Sequence, residues 1–160
     1  MDDRIEAARQ VLLDFHMGDE WEAVVEEGIP PELSVIQREL IAAYRNADVE
    51  WLLEHTDPDV EITQIPELPD ARTYRGHGGF IDALLDWPRQ WQDFTVEPRR
   101  LFAVGDDHLA IATINRGRPP SMDIEVEAEI VFLMRWRDGR MTDWNIFMTV
   151  DEAVATAQAR

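Results

Sequence analysis

An apolar residue at every second position over residues 124–136 is the strongest pattern in the chain. Every second residue from Ile124 to Trp136 is apolar, while the intervening positions begin with Glu125, Glu127 and Glu129. Successive side chains of a strand point to opposite faces of a sheet, so the pattern predicts a strand with one buried face. Residues 137–140 read Arg-Asp-Gly-Arg, and Asp-Gly is a strong signal for a two-residue hairpin turn. The sequence therefore predicts a hairpin whose second strand covers 141–150.

The turn also predicts which residues of the two strands face each other. If residues 138 and 139 form the loop, Phe132 lies opposite Asn145 and Met134 lies opposite Asp143. Directly opposed residues share a face of the sheet, so this register places Asp143 and Asn145 on the apolar side. A shift of one residue would turn both side chains outward.

The N-terminal part of the chain shows helical periodicity. Apolar residues at spacings of three and four predict an amphipathic helix over 2–17, and Asp19 is expected to cap a short second helix. Pro30-Pro31 is the one linker-like point, and it divides an N-terminal helical arm (1–33) from a domain of residues 34–160. The arm either packs on its own domain or embraces a partner chain.

The remaining pattern predicts helices first and then a meander of strands. Ser34 is expected to cap a helix to Asn46 and Asp48 a shorter one, followed by a strand over 60–65 and a loop to 79. A helix over 80–87 stops at Pro88, strands cover 94–104 and 108–116, and Asp151 caps a last helix after the hairpin. This order indicates an α+β fold with helices stacked on one side of a curved sheet.

Composition excludes several functional classes. The chain has 15 basic and 33 acidic residues, a net charge of −18, which argues against nucleic acid or an anionic membrane as a partner. Cysteine is absent, so there is no disulfide, no thiolate nucleophile and no cysteine metal site. Lysine is absent too, which excludes Schiff-base chemistry. Without an apolar run of about 20 residues or a signal-peptide pattern, a soluble cytoplasmic protein is expected.

Four short motifs, in this order and spacing, resemble the SnoaL-like family of the nuclear-transport-factor-two-like (ketosteroid-isomerase-like) superfamily. They are Val35-Ile36-Gln37-Arg38 opening a helix, Asp57-Pro58-Asp59-Val60 entering a strand, Tyr74-Arg75-Gly76 before a helix, and Arg137-Asp138-Gly139-Arg140 followed by Trp144. The resemblance spans about residues 35–157. It implies a cone: a strongly curved, mostly antiparallel sheet wrapped around three helices and enclosing one apolar pocket. It also implies a homodimer through the outer sheet face.

The resemblance leaves two functions open. One is a cyclase-, isomerase- or dehydratase-type enzyme that acts on a small hydrophobic metabolite without metal or cofactor; the other is a non-catalytic module for ligand binding or dimeric interaction. The family's catalytic positions transfer poorly. Glu39 stands where the isomerase branch has a tyrosine, and Gln64 where it has an aspartate base. Phe132 falls near its second acid, and Asn145 where the cyclase branch favours an acid.

Three residues are candidates for acid–base catalysis. An apolar surround would raise the pKa of Asp143 toward the working pH of a general base, whereas near an open sheet end it would be an ordinary solvated aspartate. Glu39 lies at the edge of its helix's apolar face, either in the pocket or exposed. His77, in a glycine-rich turn, either donates to a substrate or packs over a helix start.

Other residues are candidates for ligand contact. Asn145 and Gln64 would orient a ligand carbonyl or hydroxyl by hydrogen bonding but are not general bases; the alternative is that they satisfy backbone groups or face solvent. The aromatic pocket candidates, for which core packing is the alternative, are Tyr44, Trp51, Phe80, Trp91 and Phe132. Arg116 and Arg118 would either bind an anion or pair with the glutamate stripe, which consists of residues 125, 127 and 129. The histidines lack metal-ligand spacing, so no metal site is expected.

Overall fold

The computed structural model describes residues 2–15, 20–65, 72–89, 91–119 and 123–159. Within these ranges the chain forms six helices and seven strands. In chain order they are α1 (Asp2–Asp14), α2 (Glu20–Ala23), β1 (Glu26–Glu27), α3 (Pro31–Arg45), α4 (Val49–Glu54), β2 (Thr56–Thr63), β3 (Thr73–Arg75), α5 (Gly76–Arg89), β4 (Gln92–Val104), β5 (His108–Arg118), β6 (Val126–Arg137), β7 (Arg140–Phe147) and α6 (Val150–Gln158).

The strands form one mixed sheet in the order β1-β4-β5-β6-β7-β2-β3. Strands β4 to β7 are an antiparallel meander. Strand β2 lies parallel to β7, and the two-residue strand β1 lies parallel to β4. The predicted α+β cone, with a mostly antiparallel sheet around helices and an extra N-terminal helix, is therefore confirmed.

The hairpin turn between β6 and β7 is the one that the sequence predicts. Asp138 and Gly139 have φ angles of 52° and 78°, and Arg137 pairs with Arg140. A two-residue hairpin loop that matches the right-handed twist of its strands needs positive φ at both positions, which Asp-Gly tolerates.

The register beyond the turn differs from the prediction by one residue. Trp136 pairs with Met141 but Arg135 pairs with Asp143, so Thr142 is an extra residue in β7. This is a β-bulge, in which two residues of one strand oppose one residue of the other. Asn145 consequently lies opposite Leu133 rather than Phe132. The predicted register was wrong, and Asp143 and Asn145 lie on the convex face of the sheet.

The sheet buries apolar residues on both faces. The concave face packs against helices α1 to α5 in the main core. Helix α6 covers part of the opposite, convex face. There, Ala153 and Ala157 of α6 pack over a patch made of Phe102, Ala110, Ala112, Val131 and Leu133. This second layer explains why β6 changes from alternation to continuous apolar residues halfway along its length.

Several element boundaries differ from the predicted ones. Helix α3 begins at Pro31 rather than after Ser34, because proline at the first helical position loses no hydrogen bond that the helix would have made. The Ser34 hydroxyl instead donates to Glu26. The predicted cap at Asp48 is confirmed, since its side chain accepts from the Trp51 backbone N–H.

Later in the chain, two helices also begin at other residues than predicted. Helix α5 begins at 76 and keeps Pro88 in its last turn, and residues 73–75, predicted as loop, pair with β2. At α6, Thr149 caps the helix in place of Asp151, with its hydroxyl accepting from the Glu152 N–H at 3.2 Å.

The N-terminal arm packs against its own chain. Helix α1 contacts α3, α4 and α5, and its residues Ala8 and Leu12 are buried in the main core. Of the two arrangements considered for the arm, packing on its own chain is the one observed. The domain boundary after residue 33 stays a prediction.

No helix in the described ranges is long and apolar enough to cross a membrane.

Candidate functional site

An apolar cavity of about 160 Å³ lies between the concave face of the sheet and helices α1, α3 and α5. An engineered apolar cavity of roughly 150 Å³ is enough to bind benzene, so this space accommodates a small ring compound. The lining residues are Val11, Leu12, Phe15, Trp21, Leu40, Ile41, Tyr44, Ile62, Gln64, Tyr74, Ala83, Leu84, Pro88, Phe94, Val96, Ile111, Asn115, Phe132, Met134, Trp144 and Ile146.

Aromatic rings form the sheet side of the cavity. Because of the bulge in β7, Trp144 faces inward, and its ring lies 5.8 Å from that of Phe132 and 6.2 Å from that of Phe80. Both ring pairs are tilted, at 58° and 50°, a geometry that aromatic pairs favour over face-to-face stacking. The wall therefore presents large apolar surfaces held in place by their neighbours.

Asn115 on β5 lines the cavity and carries a buried hydrogen-bond acceptor without a partner. It is 5% exposed, and its Nδ2 donates to Thr113 Oγ1 at 2.8 Å. The Thr113 hydroxyl in turn donates its single hydrogen to the Ile130 carbonyl, so its oxygen faces Asn115 only as an acceptor. This fixes the amide orientation and leaves Asn115 Oδ1 without a partner among the described residues. An unsatisfied buried acceptor costs about 1–3 kcal/mol, which a ligand hydrogen bond would recover.

Donors are available in the same cavity. Burial raises the pKa of Tyr44, so its phenol stays protonated, and its hydroxyl forms no hydrogen bond with any residue of the described ranges. The indole N–H groups of Trp21 and Trp144 are buried and have no acceptor in the same part of the chain. The residues that line the cavity thus carry one unpartnered acceptor and three donors among mostly apolar neighbours.

A fixed polar network lies at another point of the cavity wall. The Tyr74 hydroxyl donates to Asp86 Oδ2 at 2.9 Å and accepts from Gln64 Nε2 at 3.2 Å. Arg72 forms an ion pair with the same carboxylate. Burial raises the pKa of Tyr74, and the Asp86 carboxylate raises it further while Arg72 opposes the shift. Tyr74 and Gln64 are therefore held by protein partners and are not free for a ligand in the way that Tyr44 is.

We expect both tyrosines of the chain to ionise only above pH 10 in the folded protein. Tyr44 and Tyr74 are the two tyrosines present, and the pKa of each is raised. Between the unfolded pKa of about 10 and the folded values, the folded state holds more protons, so stability falls as pH rises through this range. Tyrosinate absorbance of native protein should lag that of protein in denaturant. A native titration with either tyrosine ionising at about 10 would contradict the assignment.

The structure brings together only some of the residues predicted to contact a ligand. Tyr44, Gln64 and Phe132 line the cavity. Trp51 and Phe80 instead line a second space of about 10 Å³, which is room for a single water molecule. Phe80 is 1% exposed and belongs to the main core.

Asp143 and Asn145 lie away from the cavity, on the convex face, because of the bulge at Thr142. Asp143 accepts a hydrogen bond from the Thr142 hydroxyl at 2.9 Å. The asparagine that lines the cavity is Asn115, which the sequence analysis did not single out; a polar residue after the apolar run of β5 was the available signal.

The other three candidates also lie outside the cavity lining. Glu39 is exposed on α3. His77, at the start of α5, donates from Nε2 to the Thr56 carbonyl at 2.8 Å. Trp91 packs over Gly117, where an added Cβ would meet the indole at 3.3 Å.

Charged groups elsewhere are arranged as ion pairs. Arg116 pairs with Glu97 at 2.8 Å and with Glu127 at 3.2 Å, and Arg118 pairs with Asp93. Pairing of Arg116 with the glutamate stripe, one of the two alternatives, is therefore observed. In the described part of the chain, no three histidine or acidic side chains cluster as a metal site would require.

The model of the SnoaL-like domain matches residues 37–144 of this chain. The chain belongs to the SnoaL-like domain family. The matched segment runs from α3 to β7, so the arm that supplies part of the cavity wall precedes it. No curated protein matches the chain.

Solved structures agree with the SnoaL-like fold. An NTF2-like protein from Burkholderia xenovorans is 23% identical with a TM-score of 0.57, covering 78% of this chain and 93% of its own. TerC, co-crystallised with polyporic acid, is 23% identical with a TM-score of 0.54, over 73% and 88% of the two chains. A protein from Jannaschia named as a SnoaL-like polyketide cyclase is 17% identical with a TM-score of 0.51, over 68% and 76%. At these identities the likeness supports the fold alone.

Proposed function

We propose that this SnoaL-like protein binds a small, largely apolar ring compound that carries a hydroxyl group. The observation that carries the proposal is the buried, unpartnered Oδ1 of Asn115, a residue that lines an apolar cavity with aromatic walls. A ligand hydroxyl would donate to this oxygen while its rings pack against Phe132 and Trp144. The Tyr44 hydroxyl is free to donate to a second oxygen of the ligand.

The free acceptor supplies selectivity. The ring system gains affinity from burial, at about 25 cal/mol for each Å² of apolar surface removed from water. This term is nearly the same for any ring of the right size. The hydroxyl group is different, because an analogue without it leaves Asn115 Oδ1 buried and unpaired. The site should therefore prefer a phenol or alcohol over a hydrocarbon of equal shape.

Binding is favoured over acid–base catalysis by the titratable groups of the cavity. Among its described lining residues these are Tyr44 and Tyr74 alone, and both phenols are neutral near pH 7 because even the ordinary tyrosine pKa is about 10. Asp143, Glu39 and His77, the sequence-predicted acids and bases, are not in the lining. A general base needs to be within hydrogen-bond reach of the proton it removes.

A second candidate function is an enzyme of the cyclase type that acts by holding a reactive conformation of its substrate. Family membership favours it, because a relative of the same fold is named as a polyketide cyclase. Orientation alone accelerates intramolecular reactions without a general base. Both candidates require the same ligand contact at Asn115.

The replacement Asn115→Leu tests that contact. We expect wild-type protein to bind 2-naphthol about 10-fold more tightly than 2-methylnaphthalene, since one neutral hydrogen bond is worth roughly 1–1.5 kcal/mol. Leucine keeps the shape of asparagine but removes the acceptor, so the preference should disappear while 2-methylnaphthalene affinity holds or rises. Quenching of tryptophan fluorescence measures both affinities.

The matched control is Asn145→Leu, the same change at the other buried asparagine of the sheet. Asn145 lies on the convex face, so this variant should keep the wild-type preference for 2-naphthol. Loss of the preference in Asn145→Leu, with Asn115→Leu unaffected, would refute the proposed site. So would a wild-type protein that binds neither compound.

The predicted homodimer and cytoplasmic location stay predictions. For the homodimer, α6 already covers the part of the convex face around Val131 and Leu133, so a partner would have to use the remainder.

A further inference from the structure

We propose that the N-terminal arm (residues 1–33), through its described residues 2–15 and 20–33, is part of the ligand site and determines which ring compounds fit. This inference rests on the proposed binding function. The arm precedes the family match at residues 37–144, yet it supplies Val11, Leu12, Phe15 and Trp21 to the cavity wall. In this assignment Phe15 limits the size of the ring system. The Trp21 indole N–H donates to a carbonyl oxygen of the ligand.

Helix α1 is fixed to the domain at two points. Arg9 binds both carboxylate oxygens of Glu50, at 3.1 and 2.7 Å, and also donates to the Ala47 carbonyl. Near the start of the helix, Arg4 pairs with Asp82 on α5 and donates to the Gly78 carbonyl. These contacts join α1 to the segment around α4 and to α5, which lie on two sides of it.

The apolar face of the arm is directed at the cavity. Ala8 and Leu12 are buried, with 0% and 7% of their surface exposed. Val11 and Leu12, one turn further along the helix than Ala8, line the cavity. Phe15 continues this face, and its ring lies 5.8 Å from that of Phe94 on the opposite sheet strand. Phe15 thus closes the space between helix and sheet, and its removal would lengthen the cavity in this direction.

The other end of the arm is anchored to both layers of the fold. Strand β1 pairs with β4, where Glu26 is opposite Leu101. The Glu26 carboxylate accepts hydrogen bonds from Ser34 and Gln37 on α3. In the sequence, Trp21 lies between α1 and these anchors. The next residue, Glu22, forms an ion pair with Arg45 on α3.

Trp21 is therefore a positioned donor as well as a wall residue. It is 9% exposed, it lines the cavity, and its Nε1–H has no acceptor in the described ranges. A carbonyl oxygen on the ligand would satisfy this group, as a hydroxyl would satisfy Asn115 Oδ1. The two groups together fit a ring compound that carries both a hydroxyl and a carbonyl.

The first test compares a bicyclic ketone with its hydrocarbon. Wild-type protein should bind 1-tetralone about 10-fold more tightly than tetralin, the value expected for one hydrogen bond. Trp21→Phe should abolish this preference while keeping the preference for 2-naphthol over 2-methylnaphthalene. Trp91→Phe removes an indole outside the cavity lining and should keep the tetralone preference. Leu13→Ala, at a 52% exposed position of α1, controls for general changes in the helix.

The second test is a gain of binding, which an unfolded variant does not produce. Phe15→Ala should bind the three-ring phenol 2-anthrol at least about 10-fold more tightly than wild type does, because the added space accepts a further ring. Together with the Trp21→Phe result, this would support the assignment.

Two outcomes would overturn it. One is a tetralone preference that survives in Trp21→Phe. The other is a Phe15→Ala variant with unchanged 2-anthrol affinity. In both cases an intact 2-naphthol preference would leave the proposed binding function standing without the arm.

Discussion

Insertion of one alanine after Thr142 is expected to destabilise the protein by about 5 kcal/mol or more, which is comparable to the whole stability of a typical domain. Thr142 is the extra residue of the bulge in β7, and the residues after it alternate regularly between the two faces of the sheet. If the lengthened strand kept the turn and the one-residue bulge, Asp143 and Asn145 would face the apolar cavity, and Trp144 and Ile146 would face outward. An aspartate in such an apolar place carries a large desolvation penalty. If the strand kept its faces, the bulge would have to take in a second residue instead.

Near-UV circular dichroism during thermal unfolding measures this effect through the tryptophans of the core. The matched control is Thr142→Ala, which keeps the residue count but removes the hydroxyl that donates to Asp143 at 2.9 Å. We expect the control to lose about 1 kcal/mol or less. An insertion variant that unfolds at the wild-type temperature would show that the register after Thr142 does not set the two faces of β7.

Replacement of Phe80 by alanine is expected to destabilise the protein by about 3–5 kcal/mol, because a fully buried aromatic side chain leaves a cavity that closes only in part. Phe80 is 1% exposed on α5, and its ring contacts that of Trp144 in the main core. The sequence suggested a ligand contact at this position, whereas its burial predicts a role in stability.

Urea unfolding tests this expectation, with the slope of the transition showing whether the denatured state has changed. Phe80→Leu keeps most of the volume and should lose less than about 1.5 kcal/mol. Val35→Ala, at a 55% exposed position of α3, should stay within about 0.5 kcal/mol of wild type. A loss of less than 1 kcal/mol in Phe80→Ala, by the same scale of core substitutions, would argue against the core assignment.

The hairpin shows how far local sequence signals determine this fold. The Asp138-Gly139 turn and the pairing of Arg137 with Arg140 follow from residues adjacent in sequence, and both were predicted. The bulge at Thr142 has no such signal, because threonine is an ordinary strand residue. Its position depends on how β7 fits between β6 and β2, which is a property of the whole sheet.

Only part of the candidate site could be predicted, because the rest depends on the register of the whole sheet. Tyr44, Gln64 and Phe132 were placed in the cavity by analogy with the family fold, and the structure has them there. Asn145 was predicted to face the cavity because the predicted register turned it inward, and Asn115 was not considered. Successive side chains of a strand alternate between the two faces of the sheet, so one extra residue reverses which of the following side chains face inward.

The role of the arm was the least accessible to sequence reasoning. Its amphipathic helix was evident from periodicity, but a helix's apolar face does not specify the surface on which it packs. The contacts that specify it are distant in sequence, such as Arg4 with Asp82 and Arg9 with Glu50. The strand pairing of Glu26 with Leu101 is of the same kind, and two residues are too few for a strand pattern.

A crystal structure of the protein with 2-naphthol tests the central claim most directly. The account predicts the ring system in the cavity between Phe132 and the N-terminal arm, with the hydroxyl oxygen at hydrogen-bond distance from Asn115 Oδ1. A naphthol bound on the convex face near Asn145, or one in the cavity whose hydroxyl contacts other groups and leaves Asn115 unpaired, would contradict it.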